Sequence, residues 1–123
     1  TLLSSAASDV YKRQVISNAR DALNRKYPEN EGDKRLEIFA DVEESERDRW
    51  VRVVFRDNGT GIDPTIKEKI MKPFFSTKPK GKGTGLGLSI SHDIIRNNGG
   101  ELIIDSETGY STTVQVRLPE VTM

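Results

Sequence analysis

The sequence predicts an α+β domain, a two-layer α/β sandwich in which one mixed or antiparallel sheet carries helices on one face. Three observations predict it. Apolar residues recur at three- and four-residue spacings in two long segments. They alternate strictly with polar residues in four others. The two kinds of segment follow one another as helix, two strands, short helix, helix and two strands.

Val15, Ile16, Ala19, Ala22 and Leu23 mark the apolar face of the first helix, which must end before Pro28. The run ENEGDK is a solvated loop. From Leu36 the period becomes two: Leu36, Ile38, Ala40 and Val42 face one way and Glu37, Phe39, Asp41 and Glu43 the other, as in a half-buried strand. EESERDR forms a charged turn, and Val51, Val53 and Phe55 alternate along a second strand, antiparallel to the first, that stops at Asp57-Asn58-Gly59. Pro64 opens a short helix through about Met71. Leu86, Leu88, Ile90, Ser91, Ile94 and Ile95 outline a second full helix, closed by Gly99-Gly100. Alternating strands follow over 101–106 and 111–118.

The chain has 123 residues, enough for one domain with a modest core. Its 19 basic and 19 acidic residues cancel, so nothing points to a bulk electrostatic partner such as nucleic acid or an acidic membrane, and an anion site must be local. There is no cysteine, which removes disulfides and thiolate metal sites and is compatible with a reducing, cytoplasmic setting. No apolar run approaches membrane-spanning length.

Residues 4–14, SSAASDVYKRQ, read as an in-frame translation of a transposase-type sequencing-library adapter. Residues 1–14 are therefore expected to be an artefactual leader, 15–119 the domain and 120–123 a tail. The alternative is a natural helix start with Ser8 as N-cap and Asp9 in the first turn.

Four local signals carry chemistry. In NARDA, Asn18 lies one turn from Ala22 with Asp21 close by; Asn18 reads either as a solvated helix residue or as an oxygen ligand for Mg²⁺. In DNGTGI a strand runs into Asp-x-Gly-x-Gly. This is an ordinary turn, or else a site where the Asp57 carboxylate accepts from an exocyclic amine while Gly59 and Gly61 leave room for a flat base. KPFFSTK supplies two aromatics that pack or anchor a lid. GKGTGLGL brings four alternating glycines to a helix start, where free N–H groups and the positive end of the helix dipole favour phosphate. A P-loop is excluded because Lys82 precedes Gly83, and a dinucleotide fingerprint should follow a strand directly.

In this order, followed by NNGGELIIDSETGYSTTVQVRLP, the signals resemble the ATP-binding domain of the GHKL superfamily, the Bergerat fold of gyrase, the large heat-shock chaperones, histidine kinases and MutL, over about residues 14–119. The wording PFFSTK and GTGLGLSI is most similar to sensor histidine kinases of two-component systems. The resemblance implies ATP and Mg²⁺ as cofactors, with Asn18 as the metal ligand and Asp21 beside it. It implies Asp57 as the adenine anchor, helped through water by Thr112, with Gly59, Gly61 and Ile62 flooring the pocket. Phe75 to Gly85 would be a mobile lid with Lys78 near the phosphates. Gly83, Thr84, Gly85, Leu86, Gly87 and Leu88 would form the phosphate cradle. Gln14 stands where such kinases carry another asparagine, Ser111 where glycine is common and Val114 where phenylalanine is common.

The implied activity is phosphorylation of a histidine, with the domain contributing ATP positioning rather than a catalytic side chain of its own. The acceptor would lie on an upstream helical hairpin, in cis or in a dimer partner, and a response regulator would be served indirectly. The isolated chain would be a monomer touching neither nucleic acid nor membrane. Rival readings are another GHKL enzyme, such as an anti-sigma serine kinase, or a non-catalytic nucleotide-sensing module. The one histidine, in HDIIRN, superficially resembles a phosphoacceptor signature but lacks its proline and follows the glycine-rich segment, so His92 reads as a partly exposed helix residue.

Overall fold

A computed structural model describes residues 6–29, 31–69 and 87–120. Its elements follow the expected order: α1 (Ala6–Lys26), a 3-10 turn (Glu31–Asp33), β1 (Leu36–Glu44), β2 (Arg49–Asp57), α2 (Pro64–Lys67), α3 (Gly87–Asn97), β3 (Glu101–Glu107) and β4 (Ser111–Pro119). The four strands form one sheet in the order β1-β2-β4-β3, and all three pairings are antiparallel. Of the two sheet types expected, antiparallel is the one found.

The helices pack on one face. α1 contacts α3 and β2, and α3 contacts β3. Beneath them Val53 and Phe55 of β2, Val114, Val116 and Leu118 of β4, and Ile104 of β3 join Tyr11 and Val15 of α1 and Ile95 of α3 in a single apolar cluster. Strand alternation explains the choice: on β4 every second residue from Thr112 to Leu118 is buried. Each such aliphatic or aromatic side chain contributes about 1.5–3 kcal/mol on burial. α3 ends as its Gly-Gly pair predicts, with Gly99 N–H donating to Arg96 O and Gly100 N–H to Ile95 O.

Three expectations need correction. β1 is not half-buried: its helix-side residues Ile38 and Val42 are 51% and 46% exposed, because β1 is an edge strand and α1 and α3 make their main sheet contacts with β2 and β3. α2 is one turn shorter than expected, capped by Asp63 and ending at Lys67. α1 begins at Ala6, so Ser8 is inside the helix rather than its N-cap. In consequence Tyr11 enters the core at 1% exposure. Among the described residues its hydroxyl has no hydrogen-bond partner, and burial pushes its pKa up to about 12.

The opposite face is open and ordered in cross-strand rows. Asp41, Arg52, Arg117 and Glu101 form one row across all four strands, and Phe39, Val54, Gln115 and Ile103 form the next. Among the described residues no helix is long and apolar enough to cross a membrane.

Candidate functional site

The site is built where β2 ends. Asp57 is the last residue of that strand and faces the helices, in register with Leu36 of β1 and Thr112 of β4; Thr112 in turn pairs with Ser106 of β3. Leu36, Asp57, Thr112 and Ser106 therefore form one row on the helix side of the sheet. Asp57 and Thr112 are buried, at 6% and 8% exposure. A carboxylate withdrawn from water is costly, and burial raises the Asp57 pKa; the Gly59 N–H and the positive charge of Lys26 pull it back.

The chain after Asp57 turns at once. Gly59 N–H donates to Asp57 Oδ1 at 2.9 Å, and the Asn58 side chain ties the turn to the segment before β1, accepting from Arg35 N–H and donating to Asp33 O. Gly59 lies against α1 so closely that a Cβ there would stand 2.8 Å from the Ala22 Cβ. Gly61 has φ +70°, and a Cβ there would stand 2.5 Å from Glu107 O. No larger residue combines that backbone with that approach. Ile62 continues the loop along β3, with its N–H donating to Ser106 Oγ while its carbonyl accepts from Ser106 Oγ and Thr108 Oγ1.

Contact with Ala22 brings in the first signal. Asn18 precedes Ala22 by one helical turn on the same face of α1, is half-buried, and its Oδ1 accepts from Gln14 Nε2 at 3.2 Å. Asp21 is half-buried beside it. Among the described residues no group of three His, Cys, Asp or Glu side chains could hold a metal. A lone amide oxygen fits Mg²⁺, which keeps several waters and takes its other ligands from phosphate.

The structure thus brings Asp57, Gly59, Gly61, Ile62 and Thr112 together around the end of β2, with Asn18 and Asp21 on the turn of α1 that precedes Ala22, the residue in contact with Gly59. Gly87 and Leu88 open α3, whose first turn presents backbone N–H groups. Phe75, Lys78, Gly83, Thr84, Gly85 and Leu86 lie outside the described residues, as does the segment expected to be a lid. His92 is partly exposed on α3 beside Asp93, at 3.7 Å between Nδ1 and Oδ1. Sequence reasoning did not single out Lys26, Ser106 or Thr108. For Ser106 the signal existed, since two-residue alternation onward from Leu102 and Ile104 puts it on their face of β3. For Lys26 none did, because its contact at Gly109 spans 83 residues of sequence.

Comparison with known proteins agrees with this architecture. Residues 11–122 match the family described as histidine kinase-, DNA gyrase B- and HSP90-like ATPases. The two-component sensor PprA of Pseudomonas aeruginosa is 46% identical over 105 residues, covering 85% of this chain and 11% of that protein. The sensor kinase CckA of Brucella abortus is 52% identical over 71 residues, covering 56% of this chain and 8% of that protein. The signal transduction histidine-protein kinase AtoS of Escherichia coli is 43% identical over 67 residues, covering 54% and 11%. The chain spans about a tenth of the length of these relatives. With a matched region that takes in α1 from Tyr11 onward, the whole sheet and the Asp57 loop, the chain belongs to the family of histidine kinase-, DNA gyrase B- and HSP90-like ATPases.

Proposed function

We propose that this chain is the Mg-ATP-binding catalytic domain of a sensor histidine kinase and presents the γ-phosphate of ATP to a histidine on a separate, upstream helical hairpin. The observation that carries the proposal is the buried Asp57 carboxylate at the end of β2, paired across the sheet with the buried Thr112 and followed at once by the Gly59–Gly61 loop, an acceptor suited to an exocyclic amine. The names of the relatives, two-component sensor and histidine-protein kinase, support the phosphoacceptor class.

In this reading Asp57 accepts from the adenine amine, and Thr112, its cross-strand partner, shares the polar end of the base through water. Asn18 faces the phosphates from α1, and the first turn of α3 from Gly87 offers N–H groups to them. Mg²⁺, when bound, offsets the phosphate charge, with Asn18 as its protein ligand. The acceptor imidazole nitrogen forms a bond to the γ-phosphorus as the bond to the β,γ-bridging oxygen breaks, and ADP carries that electron pair away. The contribution of the domain is orientation and charge complementarity. The domain extends over residues 15–119, with 1–14 a leader and 120–123 a tail, and works in the cytoplasm; any membrane anchor and the link to a response regulator belong to the parent protein.

Incubation with γ-labelled ATP tests this. The chain alone should acquire no acid-labile phosphate, and an added acceptor hairpin from a related kinase should become labelled, slowly because the two are untethered. Strong self-labelling that His92→Gln abolishes would place the acceptor on α3 and defeat the reading.

A further inference from the structure

Given the reading of Asp57 as the adenine anchor, on which this rests, we propose that Lys26 is a positioning residue for the base pocket. It clips the turn between β3 and β4 to the end of α1 and so holds that turn against the Gly59–Gly61 loop.

The clip passes through one residue. Lys26 Nζ donates to Gly109 O at 2.8 Å, while Gly109 N–H donates to Thr60 O at 2.7 Å. Thr108 Oγ1 adds a bond to Ile62 O at 3.1 Å, and Glu107 O closes on Gly61. The turn is therefore fastened to the loop on one side and to α1 on the other. An isolated surface lysine holds little. This one is restrained further, because its ammonium lies 5.3 Å from the Tyr27 ring centroid and 5.9 Å from that of Tyr110, both within cation–π range.

The same charge reaches Asp57. Leu36 faces Asp57 from β1 and Thr112 from β4, both uncharged, and Gly59 contributes only its N–H. Among the described residues Lys26 on α1 is the charged group whose field opposes the effect of burial on that carboxyl. For adenine's amine an ionised carboxylate is the stronger acceptor, because protonation turns one of its oxygens into a donor. Removing a positive charge raises the pKa of an acid, so without Lys26 more of Asp57 is protonated at a given pH. ATP binding then weakens at a higher pH than in the parent.

Calorimetric titration of ATP and of GTP into the 123-residue chain and its Lys26→Met, Lys26→Arg and Asp57→Asn variants, near neutral pH and about two pH units lower, tests the proposal. Lys26→Met should bind ATP about tenfold more weakly near neutral pH, with a larger deficit at the lower pH. Lys26→Arg should recover most of both, since it keeps the charge and a donor. ATP binding by Lys26→Met equal to the parent at both pH values overturns the proposal. So does a loss that is the same at both pH values and that arginine does not rescue. If Asp57→Asn abolishes the preference for ATP over GTP while Lys26→Met changes nothing, the role of Lys26 alone falls. If Asp57→Asn leaves that preference intact, the reading of Asp57 falls and takes the Lys26 proposal with it.

Discussion

Arg52 and Arg117 stand directly opposite one another on β2 and β4, on the open face of the sheet. Like charges in that relation destabilise a sheet. Here acids flank the pair: Asp41 is a bidentate partner of Arg52, Glu101 takes Arg117 at 3.1 Å, and Glu43 reaches both arginines, at 3.6 Å to Arg52 and 2.8 Å to Arg117. Trp50 adds a ring 5.0 Å from the Arg117 guanidinium.

Glu43 is the only one of these acids that touches both arginines. Glu43→Gln should therefore leave Arg52 and Arg117 less compensated and cost about 0.5–1 kcal/mol, the scale of a partly exposed pair. Urea unfolding at low salt checks it. The deficit should shrink at high salt, where the repulsion between the arginines is screened along with the lost attraction. A cost unaffected by salt would mean that Glu43 acts through packing.

Gly61→Ala should be costly for two separable reasons. The left-handed backbone there disfavours a Cβ by about 1–2 kcal/mol, and the Cβ would also strike Glu107 O at 2.5 Å. Gly109 gives the control, since it shares the positive φ, at +84°, but has nothing within 4 Å of an added Cβ. Gly109→Ala should thus lose only the conformational part. The excess loss in Gly61→Ala, read from denaturant midpoints at unchanged slope, measures how tightly the β3–β4 turn is pressed on the loop. Equal losses would mean that the turn yields freely.

Local period carried much of this fold. The alternation in STTVQVRLP predicts the burial of Thr112, Val114, Val116 and Leu118, and NNGG predicts the end of α3. Asp57 and its two glycines were also legible, because a strand that runs into Asp-x-Gly-x-Gly marks its own turn. What sequence could not supply is whatever depends on which strand lies beside which. The alternation of Leu36 to Val42 is as regular as that of β4, yet Ile38 and Val42 are exposed because β1 falls at the edge. The row from Leu36 through Asp57 and Thr112 to Ser106 needs three registers at once, and no local pattern encodes them.

Tyr11 offers the sharpest test of how the start of α1 fits the domain. The side chain is 1% exposed, within the cluster that includes Val15, Ile95 and Val116, and its hydroxyl is buried without a partner among the described residues. Ser91 Oγ on α3 is in the same condition. An unpaired buried hydroxyl costs about 1–3 kcal/mol, whereas the ring around it gains from burial. Tyr11→Phe keeps the ring and removes the cost, so it should raise stability by about 1 kcal/mol or more. A pH effect accompanies it. Because burial raises the tyrosine pKa to about 12, from an ordinary 10.0, the folded parent retains a proton that the unfolded chain releases. The parent therefore loses stability as pH rises above about 10, and Tyr11→Phe should not share this loss. Unfolding midpoints of the two proteins measured near neutrality and above pH 10 decide the matter. If phenylalanine is the less stable at both, the hydroxyl has a partner and Tyr11 is an integral part of the core. If it is the more stable at both, position 11 calls for an apolar side chain that its present occupant only approximates, as the reading of residues 1–14 as a leader requires.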